Sequence, residues 1–292
     1  MKRIHIIYNP KAGRSLRDMG EELGLELLKR GYQVSLYRTQ AQGDATREAK
    51  ERCNAQDVDM LLAVGGDGTL NEVVNGIFQA EQQLPLAPFA GGTANDFCTF
   101  LKLPEEPWDY VHHLHRRAKS HMIDIGKVED RYFINVLASG MLSEVAHKTD
   151  TQLKNILGSL AYYMEGIKEF ITRGLYNKIA LQSDDYHYNG EYVVFMVSNS
   201  RTIGGFKNLS PDASINDGYL NALLIKKAPF KSLVEIAMNL DQGAHVDNPY
   251  VDYFTTNKIH LVTDTHMDVD GEHLELTKAT VEALPRALEC IF

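Results

Sequence analysis

Cysteine is scarce in this chain of 292 residues: Cys53, Cys98 and Cys290 are scattered, with no C-x-x-C pair. That argues against a disulfide framework and leaves buried free thiols in a reducing cytosol as the reading. Long apolar runs are missing too. The run behind Met1-Lys2-Arg3 stops at Pro10, too short for the core of a signal peptide or a membrane span, and no longer one follows. The expectation is a cytoplasmic protein whose membrane contact is peripheral and transient. A basic excess is also absent. Lys and Arg number 30 against 39 Asp and Glu, a net charge of −9, which argues against a nucleic-acid-binding face. Two common phosphate-binding signatures are missing. No Gly-Lys-Ser/Thr occurs, and the stretch that opens like a dinucleotide fingerprint carries Asn71 where a third glycine belongs.

What is present is ordinary for a globular protein, with 44% hydrophobic and 24% charged residues, enough for one large or two modest domains. Strand and helix signals alternate at first. Strands are expected at Arg3–Tyr8, Tyr32–Arg38, Asp57–Val64 and Leu84–Phe89. Helices are expected at Asp18–Arg30, at Asp44 to about Asn54, and at Leu70–Gln79. This alternation implies an α/β domain with a mainly parallel sheet, over residues 1–121. From Met122 the pattern turns strand-rich. Met122–Val128, Arg131–Leu137, Asn177–Gln182, Glu191–Asn199, Tyr219–Lys226 and Lys258–Val262 suggest a β-rich sandwich domain over 122–292. The extreme C-terminus is a candidate to return to the first domain, although the sequence up to Phe292 leaves little for a returning element. An amphipathic pattern predicts a helix over 152–171, and His112, His113, His115, Arg116 and Arg117 read as a solvated helix end.

The chemistry concentrates where predicted strands end. Gly65-Gly66-Asp67-Gly68-Thr69-Leu70-Asn71-Glu72 follows the buried run Met60–Val64. Glycines there let backbone approach a ligand, and Thr69 with Glu72 has the spacing of a capping box, so a helix N-terminus is expected to face an anion. Asp67 beside a phosphate calls for a cation between them, and Mg²⁺ is the natural one. Gly91-Gly92-Thr93-Ala94-Asn95-Asp96 repeats the theme at another strand end, with Thr93 and Asp96 at capping-box spacing. Asn9-Pro10-Lys11-Ala12-Gly13 and Thr39 lie just past two further strand ends. Late in the chain Asp268, Asp270 and Glu272 alternate, which on a continuous strand puts them on one face with Asp264 and His266.

The run from Gly65 to Gly76, GGDGTLNEVVNG, resembles the nucleotide-binding signature of the diacylglycerol kinase catalytic-domain family. GGDGT alone also occurs in NAD kinases and phosphofructokinases, whereas the longer run is much more specific. Asn9–Gly13, Gly91–Phe97 and Asp268–Glu272 match the family's other motifs in order, so the resemblance spans positions 9 to 272. It implies an ATP- and Mg²⁺-dependent lipid kinase, most simply one converting diacylglycerol to phosphatidic acid. It implies an ATP site lined by Asn9, Pro10, Lys11, Ala12, Gly13, Thr39, Gly65, Gly66, Asp67, Gly68, Thr69, Leu70, Asn71, Glu72 and Thr93. It assigns Glu272 as general base, although the residues alone do not choose between Glu272 and Asp270. It further implies a Mg²⁺ held by Asp217 and the carbonyls of Ser214 and Tyr219, connected through water to Asp67 and Asp96. Partners would be a lipid substrate at a membrane surface and a possible homodimer copy. Lys154, Lys168, Arg173 and Lys178 are candidates for membrane contact. A kinase for NAD and a non-catalytic nucleotide or lipid sensor are the alternatives. Asn75-Gly76 and the first loop favour the lipid-kinase branch, and the retained acidic motifs count against the sensor.

Overall fold

The computed structural model describes residues 2–11, 18–140 and 176–292. Ala12 and Gly13, the helix expected over 152–171, and Lys154, Lys168 and Arg173 lie outside the described residues. The chain divides into two compact units. The first is Met1–Ile125 with Arg131–Ile134 and Pro285–Phe292; the second is Gly126–Asp130 with Asn135–Leu284.

In the first unit, β1 (Arg3–Tyr8), β2 (Gln33–Arg38), β3 (Met60–Gly65) and β4 (Leu86–Ala90) form an all-parallel sheet in the order β4-β3-β1-β2. β1, β3 and β4 are buried along almost their whole lengths, as strands with helices on both faces must be. Ile4, Ile6, Leu62, Val64 and Phe89 pack with Leu23 and Leu27 of α1 (Met19–Lys29) and with Tyr110 and Val111 of α5 (Pro107–Arg116). On the other helical pair, α2 (Asp44–Ala55) and α3 (Asp67–Phe78) approach so closely that a Cβ on Gly76 would stand 2.3 Å from the Thr46 carbonyl oxygen. A short α4 (Asp96–Phe100) follows the second glycine loop. The final residues of the chain add to this sheet, with Cys290 paired in parallel register to Leu86. Phe292 and Lys119 exchange both backbone hydrogen bonds, at 2.8 and 3.1 Å.

The second unit is antiparallel. β9 (His187–Ser198) is its spine, pairing with β8 (Asn177–Gln182) along its first half and with β7 (Val136–Gly140) along its second; β10 (Leu220–Lys226) lies on its other edge. β11 (Val251–Thr256) extends β10, β12 (Lys258–Thr263) joins β8, and the start of β15 (Lys278–Ile291) pairs with β12. Leu233, Ile236 and Ala237 of α6 (Phe230–Met238) close a core over Val193, Met196 and Leu223. The expected fold class, a mainly parallel α/β domain followed by a β-rich one, is what forms.

Several local expectations are corrected. Arg131–Leu137 is not one strand. It divides into β6 (Arg131–Phe133), which pairs with β5 (Ser120–Val128), and β7, with the break at Ile134-Asn135. Neither capping box forms. α3 starts at Asp67 behind Gly66 with no side-chain cap, and α4 starts behind Asn95. Asp268, Asp270 and Glu272 do not share a strand face. Asp270 (φ 49°) and Gly271 (φ 90°) make a two-residue turn between β13 (Met267–Val269) and β14 (Glu272–Leu274). Glu272 therefore stands opposite Val269, and His273 opposite Asp268.

Candidate functional site

The first unit gathers its candidates at the carboxyl ends of the parallel strands. The Asn9 N–H donates to the Val64 carbonyl at 3.0 Å, and the Asn9 carboxamide oxygen accepts from Lys11 N–H at 2.9 Å, closing the turn after β1. Thr39 is tied to Tyr8 through its own N–H at 2.9 Å. The two glycine loops touch backbone to backbone. Gly91 N–H donates to Gly65 O at 2.8 Å, and a Cβ on Gly92 would lie 2.4 Å from Gly66 Cα. Side chains at these positions would drive the loops apart. Asn95, in the left-handed conformation, locks the second loop by accepting from Gly92 N–H at 2.7 Å and donating to Gly92 O at 2.9 Å. Gly68 differs, since a Cβ there would meet nothing within 4 Å. Its φ is not positive either, so neither packing nor backbone strain calls for glycine. The Gly68 position in the first turn of α3 faces open space, a geometry that suits an anion on backbone amides.

Electrostatics mark the same spot. Asp67 is pushed up to about 6, first by burial and then by the neighbouring Asp96 carboxylate, against hydrogen bonds from the Phe97 and Asp96 amides. Two carboxylates crowded at the mouth of the loops are a hard-oxygen donor set that a divalent cation would relieve. Among the described residues, no group of three or more His, Cys, Asp or Glu could hold a metal by itself, so such an ion would keep waters or take phosphate oxygens.

Other predicted site residues face elsewhere. The Glu72 carboxylate accepts from Ala45 N–H at 3.1 Å, so it joins α3 to the first turn of α2 rather than capping its own helix. The Asn71 carboxamide donates to the Tyr132 carbonyl at 2.9 Å. Asn75 donates to that carbonyl at 2.9 Å and accepts from the Tyr132 N–H at 3.0 Å, as a neighbouring strand would. Sequence reading did not assign Asn75 a structural partner. A side chain that pairs with backbone far along the chain leaves no local signature.

In the second unit, Asp217 is exposed and its Oδ1 accepts from Tyr219 N–H at 3.0 Å across Gly218 (φ 84°). Ser214 donates to Asn216 Oδ1 in the same turn. A single carboxylate with nearby carbonyls fits a small cation that retains water. Asp270 is 4% exposed; its Oδ1 accepts from Val136 N–H at 2.7 Å and Asn135 N–H at 3.1 Å. Asp268 accepts from Gly271 N–H at 2.8 Å, bracing the same turn. Glu272 is half-buried on β14.

Residues 3–128 match the diacylglycerol kinase catalytic domain family, and residues 135–292 match a family described as the YegS C-terminal NAD kinase beta sandwich-like domain. A diacylglycerol kinase of Staphylococcus epidermidis is 38% identical over 93% of this chain and 86% of its own length. The chain belongs to the diacylglycerol kinase family. A diacylglycerol kinase of Staphylococcus saprophyticus subsp. saprophyticus is also 38% identical, over 93% of this chain and 89% of its own. A Bacillus anthracis str. Sterne protein provisionally assigned as a diacylglycerol kinase superposes with a TM-score of 0.84 at 26% identity, covering 100% of this chain and 95% of its own. Membership makes the chain an enzyme, a lipid kinase at the level of the family. Its glycine loops and acidic hairpin occupy the two matched regions respectively, and no described helix is long and apolar enough to cross a membrane.

Proposed function

We propose that this chain transfers the γ-phosphoryl group of ATP to a lipid hydroxyl, most simply that of diacylglycerol, giving phosphatidic acid. The observation that carries the reading is the open cradle at Gly68, where the α3 N-terminus, the paired loops and the Asp67–Asp96 carboxylates meet. Backbone amides there would hold the phosphates, with Asn9 and Thr39 at the neighbouring strand ends. Asp67 and Asp96 would hold Mg²⁺, and Asp217 with the carbonyls of Ser214 and Tyr219 a second ion. Bound Mg²⁺ supplies neutralisation of phosphate charge. Phosphoryl transfer needs mainly such positioning and charge compensation. Glu272 would take the proton from the acceptor hydroxyl, because an alcohol is a poor nucleophile at neutral pH. The lipid would be met at a membrane surface by transient, peripheral contact.

The relatives named diacylglycerol kinase support this acceptor over others. A radiolabelled ATP assay tests it over diacylglycerol, phosphatidylglycerol, sphingoid bases and NAD, with and without Mg²⁺. Label entering phosphatidic acid alone is expected; label entering NAD or no acceptor overturns the reading. Glu272→Gln is expected to lower kcat by ~10²–10⁴ while leaving the KM for ATP within a few-fold. Near-normal kcat would remove Glu272 from the mechanism.

A further inference from the structure

Two carboxylates, those of Asp270 and Glu272, end the acidic hairpin, and only one can act as base. We infer that Asp270 is a positioning residue, which clamps the hairpin to β7 so that Glu272 is presented at a fixed place. The inference rests on the lipid-kinase reading and refines it.

The geometry gives Asp270 other work. Its carboxylate points at the backbone of β7, where Oδ1 takes the Val136 N–H at 2.7 Å and the Asn135 N–H at 3.1 Å, and Oδ2 lies 3.4 Å from the latter. The Asp270 N–H in turn donates to the Val136 carbonyl at 2.9 Å. With 4% exposure, these oxygens are committed to amide donors and have little access to an incoming hydroxyl. The amides they satisfy are those of Asn135, between β6 and β7, and of Val136, the first residue of β7. Val269 pairs with Leu137 on one side and Glu272 on the other, so fixing the turn fixes the first residue of β14. The left-handed φ of 49° at Asp270 suits Asp or Asn, whose short polar side chains tolerate that region. The clamp and the turn therefore call for the same kind of residue.

Two substitutions separate the clamp from proton transfer. Asp270→Asn keeps an acceptor oxygen for both amides and keeps the turn, but it destroys basicity. Asp270→Gly keeps the turn and removes the clamp. In the full chain, Asp270→Asn is expected to retain kcat to within about tenfold, with the acidic limb of its kcat–pH profile where wild type has it. Asp270→Gly is expected to lose about 100-fold in kcat with the KM for ATP unchanged. If Asp270→Asn falls as far as Glu272→Gln, or its acidic limb moves, Asp270 takes the proton and the inference is overturned. If Asp270→Gly keeps wild-type kcat, the clamp does not position the base and the inference is likewise overturned. Loss of the underlying reading shows separately, as an active Glu272→Gln.

Discussion

Gly68 and Gly76 sit in the same helix and are glycine for opposite reasons. At Gly76 a Cβ would collide with the Thr46 carbonyl at 2.3 Å and with Ala49 Cβ at 2.7 Å, so α2 and α3 can touch only without it. At Gly68 the same Cβ meets no protein atom within 4 Å. Gly76→Ala should therefore lower stability by about 1–3 kcal/mol, the ordinary range for overpacking. Gly68→Ala should leave stability unchanged or slightly raised, since Ala is the better helix former. It should instead raise the KM for ATP severalfold, because the methyl enters the space offered to phosphate. Urea unfolding and steady-state kinetics on both variants check the pair. A stable Gly76→Ala would break the packing account of α2 against α3, and a Gly68→Ala with wild-type KM would break the assignment of the cradle. The glycine motif made the place legible in the sequence, but it could not divide its glycines between packing and ligand approach. That division depends on what stands opposite each Cα, in helices and loops distant along the chain.

At the level of elements, the parallel sheet was readable because β3 and β4 are short apolar runs that end in glycine turns and β1 ends at the Asn9 turn, with helix signals between them. The acidic hairpin was not, because alternation of Asp268, Asp270 and Glu272 imitates one polar strand face. The Asp270-Gly271 pair between Val269 and Leu274 was the overriding signal, since both residues accept positive φ. β15 escaped notice for a related reason: Pro285 interrupts its alternation and demotes it as a strand. The Thr69-x-x-Glu72 spacing misled because spacing does not say which amide a carboxylate will find. A buried polar contact between β1 and α2 was equally unreadable. His5, 4% exposed, has Nδ1 2.7 Å from Ser35 Oγ and Nε2 3.0 Å from Glu48 Oε1. Burial, aided by Arg52, lowers His5 to about 4 from an ordinary 6.5. The folded state thus binds fewer protons here than the unfolded one. The contribution is whole above pH 6.5 and is lost as pH falls toward 4, by about 3 kcal/mol at most. Burial raises Glu48, which acts in the opposite sense and offsets part of that loss. His5→Gln should flatten the fall in stability across this window. An unchanged slope in denaturant midpoint against pH would assign the acid sensitivity elsewhere.

Over the whole molecule, the compact units are not contiguous stretches of chain. The first unit is completed by Arg131–Ile134 and by Pro285–Phe292. Asn71, Asn75 and a stacked Phe78, at 4.4 Å, hold Tyr132 in that unit. The C-terminal residues are held by burial. Leu288 and Cys290 are both fully enclosed, Arg286 N–H donates to the buried Asp124 at 2.7 Å, and Lys119 and Phe292 bond each other's backbones. Composition gave no hint of this, because nothing in a short mixed-polarity terminus announces which sheet it will join. Removing residues 285–292 deletes one buried leucine, one buried cysteine and several backbone hydrogen bonds, and it leaves Asp124 without its Arg286 donor. At ~2 kcal/mol for the leucine, ~1 for the cysteine and ~1 for each of these three lost hydrogen bonds, the deficit is on the order of 6 kcal/mol. That is a large fraction of a domain's ~5–15 kcal/mol of stability. The truncated chain should show early loss of amide exchange protection in β3 and β4, while β9 and β10 in the other unit keep theirs. Protection in β3 and β4 matching the full chain would show that the terminal strand is dispensable to the unit that carries the glycine loops.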